Sequence, residues 1–154
     1  MAGSLTDMIS LRRARYDELE KFCAWDLQAH ARRFVTGGSL EIHQRDFPKD
    51  NTHYLAIVDT AGEPIGYFLL RVESGGDTVE FHRIVIDCGA RGVGQQAILR
   101  MLQFCREELS ASKVWLDVFD DNPRGIHIYE KLGFQWFKSE PAGGRTLHFY
   151  RKSL

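Results

Sequence analysis

The sequence predicts one α/β domain (more strictly α+β), in which about four helices flank a mixed, mostly antiparallel sheet of about seven strands. The chain has 154 residues, a length that supports one hydrophobic core but not two. Short segments rich in β-branched and aromatic residues alternate with segments whose apolar residues recur at helical spacing. No repeat and no low-complexity linker divides residues 1–154, so we expect a single domain, with residues 1–7 as a flexible leader.

The first third of the chain is predicted to form one strand and two helices. Residues 9–14 form the strand, and residues 17–20 resemble a capping box at the start of the first helix. The apolar residues at helical spacing in that helix are Leu19, Phe22, Cys23 and Leu27. Residues 39–47 form a second, weaker helix, which ends at Pro48 because proline cannot continue a helix.

Three strands are predicted in the middle of the chain. Residues 53–59 and 65–72 are largely β-branched, aromatic or otherwise apolar. Residues 60–63 between them have turn chemistry, so the two strands are expected to form an antiparallel hairpin. A turn at residues 74–77 leads into a third strand at residues 78–87.

The second half of the chain begins with a glycine-rich loop at residues 88–96, followed by a helix. The apolar residues on one face of that helix are Ile98, Met101, Leu102, Cys105 and Leu109. From residue 114 we expect a buried strand, a sharp turn that ends at Asn122, and a short helix. Residues 134–138 and 146–151 then form a closing hairpin around a turn at residues 141–144.

The last predicted helix is bounded by its own chemistry. Asn122 is a good N-cap, and Pro123 suits the first helical position because its missing N–H would have been unpaired there. Gly133 supplies the left-handed residue that ends the helix. The resulting order, β-α-α-β-β-β-α-β-α-β-β, indicates a mixed sheet flanked by helices.

Charge and cysteine content argue against several classes of protein. A formal net charge of -1 leaves no global basic field, so we expect no nucleic acid and no membrane as partner. The 3 cysteines are far apart and outside any Cys-x-x-Cys arrangement, which argues against a disulfide framework and a zinc site. We therefore expect no metal and a reducing, cytoplasmic location. The sequence shows no apolar run of membrane-spanning length and no cleavable leader.

The glycine-rich loop is a candidate phosphate site. It joins a strand to a helix, and such a junction presents unpaired backbone N–H groups and the positive end of the helix dipole. Gly92 and Gly94 allow close approach of the backbone. The glycine order argues against a nicotinamide-dependent enzyme, and the lack of Gly-Lys-Ser/Thr argues against a Walker loop. Alone, the loop favours a tight strand-to-helix connection rather than a phosphate site.

A second motif lies downstream, where Asn122 is followed seven positions later by Tyr129 and then by Glu-Lys-Leu-Gly-Phe. This pattern closely resembles the coenzyme A-binding and leaving-group segment of the GNAT superfamily of acyl-CoA-dependent N-acetyltransferases. The predicted order of elements also matches the GNAT fold over nearly the whole chain. The resemblance implies acetyl-CoA as co-substrate, no metal, and direct attack by a primary amine in a ternary complex. It implies a small-molecule amine or a protein N-terminal or lysine amine as acceptor, and a monomer or homodimer.

Two further details bear on activity. Residues 79–85 resemble the subgroup that contains ribosomal-protein and small-molecule amine acetyltransferases. Gly89 stands where the family usually has Gln or Arg, so the alternative is a GNAT-fold module that binds acyl-CoA as a sensor or scaffold without turning it over. The acceptor pocket is expected near residues 25–47 and the turn at residues 140–145, and its ligand stays open.

The resemblance also implies contacts with coenzyme A. The phosphates would bind backbone amides at residues 91–95, and the pantetheine arm would pair with residues 84–86 like an added strand. Backbone N–H near Ile86 would face the oxyanion, and Asn122 would contact the pantetheine. The expected cofactor-binding residues are Ile84, Val85, Ile86, Arg91, Gly92, Val93, Gly94, Gln95, Gln96, Asn122 and Tyr129.

Three residues are expected to be catalytic. Tyr129 would donate a proton, or at least a hydrogen bond, to the departing thiolate, whereas on periodicity alone it would be a core tyrosine. Glu80 has the spacing at which many GNAT enzymes carry a glutamate base, and His82 is the rival base. The alternative is that Glu80 and His82 form a solvated pair at the open end of the strand. Strand alternation predicts two faces, one with Glu80, His82, Ile84 and Ile86 and the other with Phe81, Arg83 and Val85.

Overall fold

The computed structural model describes residues 9–28, 30–32, 39–87 and 92–154; the expected leader at residues 1–7 and Arg91 lie outside these ranges. The strands are β1 (Ile9–Arg13), β2 (Thr52–Asp59), β3 (Pro64–Val72), β4 (Thr78–Ile86), β5 (Lys113–Phe119), β6 (Gln135–Ala142) and β7 (Arg145–Ser153). The helices are α1 (Leu19–Asp26), α2 (Leu40–Asp46), α3 (Gly94–Glu107) and α4 (Pro123–Lys131). Within the described ranges, no helix is long and apolar enough to cross a membrane.

The strands form one seven-stranded sheet in the order β1-β2-β3-β4-β5-β7-β6. Neighbouring strands in this described sheet run antiparallel except β4 and β5, which are parallel. The crossover between these parallel strands contains α3, as a parallel connection requires. The predicted mixed sheet flanked by helices is confirmed, with each strand and helix in the predicted order.

Helix α4 begins and ends where its local chemistry predicts. The Asn122 side chain accepts a hydrogen bond from the Gly125 N–H at 3.1 Å, and Pro123 opens the helix. Gly133 has φ = 93°, the left-handed conformation expected just after a helix. These local interactions place Tyr129 in the last turns of α4 independently of any distant contact.

The start of α1 differs from the prediction. A short 3₁₀ turn at Tyr16–Glu18 precedes the helix. Glu18, not Glu20, accepts the backbone N–H of Arg15 at 2.8 Å, and it also pairs with Arg12 at 2.7 Å. The Arg12 guanidinium is the main cause that lowers the pKa of Glu18 to about 2. Glu18 therefore caps the helix and also anchors it to β1 through Arg12.

The closing hairpin is longer than predicted, and the predicted turn at residues 141–144 is only half right. Pro141 and Ala142 belong to β6, where they pair with Thr146 and Arg145. The turn consists of Gly143 and Gly144, whose φ angles are 57° and 82°. Positive φ at both central residues is the geometry of a two-residue hairpin turn, and it matches the twist of the flanking strands.

Each face of the sheet supports its own hydrophobic core. We call them the α3/α4 face and the α1/α2 face after the helices that pack there. The first core includes Ile98 and Met101 of α3 together with Phe81, and the second includes Phe22 and Trp25 of α1. Helices α1 and α2 pack over β2, β3 and β4, and the described members of the core on that face include none from β5, β7 or β6.

A bulge in β4 decides which face its side chains occupy. Leu69 of β3 pairs with Arg83, whereas its neighbour Leu70 pairs with Phe81, so His82 is the extra residue. Consecutive residues of β3 point to opposite faces, and Phe81 and Arg83 therefore do so as well. Phe81 packs in the α3/α4 core, and Arg83 donates to Tyr67 in the α1/α2 core.

This bulge makes the predicted two-face pattern of β4 wrong. Glu80 lies on the α1/α2 face, because its neighbours Val79 and Phe81 are both in the α3/α4 core. His82 stays with Glu80 through a direct contact. Ile84 and Ile86, in contrast, pack against the α3/α4 core. A simple alternation cannot anticipate an extra residue, because the bulge depends on how β3 pairs with β4.

Candidate active site

A cleft opens where β4 and β5 separate. In these fully described strands, pairing is limited to residues 78–80 of β4 and 113–115 of β5. Beyond that point lies a cleft of about 920 Å³, with β4 from Phe81 on one wall and β5 from Leu116 on the other. Gly92 and Gly94 lie along it together with Asn122 and Tyr129. The cleft thus brings together the two motifs that the sequence contains.

The start of α3 fits an anion. The N-cap position, Val93, supplies no side-chain hydrogen bond, so the first amides of α3 have no such cap. A Cβ added at Gly92 or Gly94 would meet nothing within 4 Å, and both glycines border the cleft. Val93, Gln95 and Gln96 are not among the described residues that line the cleft.

The residues predicted to pair with the pantetheine arm lie on the edge of β4 that faces the cleft. Ile84, Val85 and Ile86 line the cleft, and β5 does not pair with them. The Ile86 carbonyl accepts a hydrogen bond from His30 Nε2 at 2.7 Å. Ile84 and Val85 therefore border the cleft on an edge with no neighbouring strand, as an added extended ligand requires.

His82 and Glu80 form a pair at the point where the strands separate. His82 Nδ1 lies 2.7 Å from Glu80 Oε2 and 3.5 Å from Arg71 Nη1. His82 lines the cleft, whereas Glu80 lies behind it. With Nδ1–H donated to the carboxylate, Nε2 keeps a lone pair that can accept a proton. Of this pair, His82 is therefore the residue that a ligand in the cleft could contact directly.

Tyr129 reaches the cleft from the opposite face. Its ring packs edge-on against Phe81 at 5.9 Å and Phe134 at 6.0 Å between centroids, within the α3/α4 core. Its hydroxyl has no hydrogen-bond partner in the described part of the chain. Burial, and to a lesser extent the charge of Asp117, raises the pKa of Tyr129 to about 12. The phenol is thus neutral and able to donate a hydrogen bond over the whole physiological pH range.

Asp117 is a site residue that the sequence reasoning missed. It is exposed and lines the cleft on β5, where partial desolvation and the charge of Glu80 raise its pKa above the usual value. Its neighbours Leu116 and Val118 are both in the α3/α4 core, so Asp117 lies on the same face as Glu80. One signal was present in the sequence, since a carboxylate interrupts an otherwise apolar strand.

A buried polar network, also missed, ties α1 and α2 to the sheet beside the cleft. Asp26 accepts hydrogen bonds from His43 Nε2 at 2.7 Å and from the Tyr67 hydroxyl at 2.5 Å. His43 Nδ1 lies 2.7 Å from the Tyr54 hydroxyl, and Arg83 donates to Tyr67 at 3.3 Å. Asp26 and His43 are only 2% and 1% exposed. The network fixes the two helices that pack on the α1/α2 face of the sheet.

Of the remaining predicted residues, Asn122 can be placed in the structure and Arg91 cannot. Asn122 lines the cleft, and its side chain is engaged as the N-cap of α4. Arg91 lies outside the described residues, as does Gly89. Among the described residues, no cluster of three or more His, Cys, Asp and Glu side chains could hold a metal ion.

Comparison with known proteins adds the following. The sequence profile of a family described as acetyltransferase (GNAT) matches residues 11–134. Spermidine N-acetyltransferase SpeG from Vibrio cholerae, in complex with CoA and spermine, is 17% identical with a TM-score of 0.80, covering 95% of each chain. A dodecameric structure of spermidine N-acetyltransferase from the same organism is 19% identical, with a TM-score of 0.78 and coverage of 95% of this chain and 94% of that one. Comparison with curated protein sequences gives no match.

Proposed function

Because this chain belongs to the acetyltransferase (GNAT) family, we propose that it transfers an acetyl group to a primary amine that attacks directly within a ternary complex. Membership makes it an acetyl-CoA-dependent N-acetyltransferase; the proposal concerns its site residues, its mechanism and its acceptor. One observation carries the proposal: a single cleft leads from the start of α3 to His82, Asp117 and Tyr129.

The residues that would hold acetyl-CoA follow the cleft. Its phosphates would accept hydrogen bonds from the first amides of α3, where Gly92 and Gly94 leave room. Its pantetheine arm would lie along the unpaired edge at Ile84 and Val85, with Asn122 at its side. When bound, acetyl-CoA supplies the activated acetyl group as a thioester, whose C–S bond breaks as the amide C–N bond forms.

The base would act from the α1/α2 face. An alkyl ammonium ion has no lone pair, so it must lose a proton before its nitrogen can attack. His82 Nε2 would take this proton, directly or through a water molecule, while Glu80 holds the ring and stabilises the imidazolium. The nitrogen loses a second proton when the amide forms, and the thiolate gains one. The proton taken by His82 finally passes to solvent.

Tyr129 would act from the α3/α4 face, so base and leaving-group partner lie on opposite sides of the sheet. A phenol with a pKa of about 12 is a poor acid towards a thiolate whose reference pKa is about 8.5. Its hydroxyl would therefore stabilise the developing charge on sulfur mainly by donating a hydrogen bond. The proton that sulfur finally gains would then come from the attacking nitrogen or from water.

The proposed acceptor is a small-molecule amine. The carboxylates of Glu80 and Asp117 on the acceptor side favour a positively charged compound. The V. cholerae enzyme in the comparison binds spermine, which makes polyamines the first compounds to try. We predict a monomer or homodimer, and the dodecameric relative makes the oligomeric state worth measuring.

Release of free thiol from acetyl-CoA tests the proposal. The protein is mixed with acetyl-CoA and a panel of polyamines, amino acids, aminoglycosides and peptides with free N-termini. We expect thiol release that depends on at least one amine, with the acetylated amine identified by mass spectrometry. Calorimetric binding of acetyl-CoA without thiol release across the panel would instead indicate the sensor or scaffold module.

A further inference from the structure

Asp117 and His82 occupy matching positions on the two walls of the cleft. The last paired residues are Glu80 on β4 and Trp115 on β5, and both lie on the α1/α2 face. On that face, the next side chain along β4 is His82 and the next along β5 is Asp117. These two side chains are therefore the first to border the gap between the separating strands, and both line the cleft.

Asp117 differs from three nearby carboxylates, Glu80, Glu73 and Glu140, in having no partner among the described residues. Glu80 contacts His82, Glu73 accepts the Trp115 indole N–H at 2.7 Å, and Glu140 pairs with Lys138 at 3.2 Å. Asp117 makes no hydrogen bond or ion pair with any residue that the structure describes. Partial desolvation and the negative charges of Glu80 and Glu140 act against its ionised form, whereas His82 favours it. A cation bound beside Asp117 would offset the two negative charges.

The cation that the reaction itself brings is the acceptor. A primary alkyl amine arrives as an ammonium ion, and its proton must end on a base within hydrogen-bond reach. An ammonium ion held by Asp117 would have His82 facing it across the gap. A metal ion is a poorer occupant, because no cluster of three metal-binding side chains occurs in the described chain.

We infer that Asp117 is the acceptor-binding residue, which holds the incoming ammonium opposite His82 and makes the enzyme select amines that arrive charged. This inference rests on the proposed function and adds to it the residue that chooses the acceptor. Charge-assisted hydrogen bonds contribute more than neutral ones, so the carboxylate discriminates an ammonium ion from an uncharged nucleophile. Asp117 has no part in binding acetyl-CoA.

The test compares Asp117→Asn with the parent, using two acceptors at one pH. One is the best charged amine of the panel, and the other is methoxyamine, which is uncharged near neutral pH. The KM of the charged amine should rise about 10–100-fold in Asp117→Asn, the range for losing one hydrogen bond to a charged group. The KM of methoxyamine and the affinity for acetyl-CoA should stay within about twofold.

The matched control is Glu73→Gln, which removes one negative charge beside Trp115, on the same face and outside the cleft. Glu73 is exposed, and a glutamine amide oxygen can still accept the Trp115 indole N–H, so the substitution should change the KM of the charged amine less than about threefold. Equal effects of Asp117→Asn and Glu73→Gln would show that Asp117 acts only through its general electrostatic effect, and would overturn the inference. An equal loss with charged and uncharged acceptors would also overturn it.

Calorimetric titration of the charged amine into the protein saturated with CoA separates this inference from the proposed function. Amine binding that is lost in Asp117→Asn, in a protein that releases no thiol, would support the binding role and overturn the proposed function. Thiol release by Asp117→Asn with an unchanged KM for the charged amine would support the proposed function and overturn this inference. A thermal melt equal to that of the parent ensures that the variant is folded.

Discussion

The protein contains the same trio of side-chain types twice, once buried and once in the cleft. In the buried network, Asp26, His43 and Tyr67 satisfy one another's hydrogen bonds, with Tyr54 and Arg83 completing the set. In the cleft, His82 is engaged by Glu80 on one side only, and Asp117 and the Tyr129 hydroxyl have no partners in the described chain.

This difference separates a structural polar group from a functional one. A buried polar group must be paired because leaving it unpaired costs roughly 1–3 kcal/mol, so full pairing indicates a role in stability. Unpaired donors and acceptors that face a cleft keep their hydrogen-bonding capacity for a ligand. Identical substitutions should therefore change the free energy of unfolding in the buried network and the activity in the cleft.

The largest difference between the two clusters should appear when His82 of the cleft and His43 of the buried network are each replaced. His82→Ala should lower kcat by about 100- to 10,000-fold, the range for losing a general base, with little change in the free energy of unfolding. Glu80→Gln should have a smaller effect of the same kind. Both deficits should be greatest at low pH, where the amine holds its proton most firmly. The measurement is the pH profile of kcat.

His43→Ala is the matched comparison for His82→Ala. It leaves Asp26 and the Tyr54 hydroxyl without their partner, so unfolding by urea should show a loss of about 2–4 kcal/mol. A His82→Ala variant with the pH profile and rate of the parent would assign the base to another group.

The next largest difference should appear between Asp26 of the buried network and Asp117 of the cleft. Asp26→Asn removes the negative charge that lies 3.7 Å from the Arg83 guanidinium and disturbs the hydrogen bonds from His43 and Tyr67. Breaking a buried ion pair in this way should cost about 3–5 kcal/mol of unfolding free energy. Asp117→Asn should cost almost nothing by the same urea titration. Equal stabilities of the two variants would contradict the distinction drawn here.

The tyrosine pair should show an intermediate effect. Tyr129→Phe keeps the ring that packs against Phe81 and should lower kcat about 10- to 1000-fold, because its hydroxyl interacts mainly in the transition state. Acetyl-CoA affinity and stability should be unchanged. Tyr67→Phe should instead destabilise the fold, since its hydroxyl donates to Asp26. Turnover equal to that of the parent in Tyr129→Phe would leave this tyrosine as a core residue.

A glycine substitution should have the smallest effect, and it tests whether the glycine-rich loop belongs to the site. Gly94→Val should weaken acetyl-CoA binding about 10- to 100-fold, because the added branches enter the space of the phosphates. A Cβ there meets no atom of the described residues within 4 Å, so the fold should tolerate it. Gly92 is a poorer choice, since its φ of 82° would strain any other residue. Calorimetry with acetyl-CoA gives the affinity, and unchanged binding in a folded variant would remove the loop from the site.

The sequence by itself determined the local structures and the family. Helix α4 begins at Asn122 and Pro123 and ends at Gly133 because caps are satisfied by residues within a few positions of one another. The order of strands and helices follows in the same way from periodicity and turns. The Asn122 to Tyr129 motif, read with the glycine-rich loop, was enough to predict an acetyl-CoA-dependent N-acetyltransferase.

Only the tertiary structure decided which side chains meet. The bulge at His82 arises from the pairing of β3 with β4, and it moved Ile84 and Ile86 to the face opposite Glu80. Asp117 joins His82 and Tyr129 because β4 and β5 pair for a short distance and then separate. Asp26 and His43 likewise meet Tyr67 across two helices and a strand. Such contacts join residues far apart in the chain, and their geometry depends on strand register and helix packing, which no local pattern encodes.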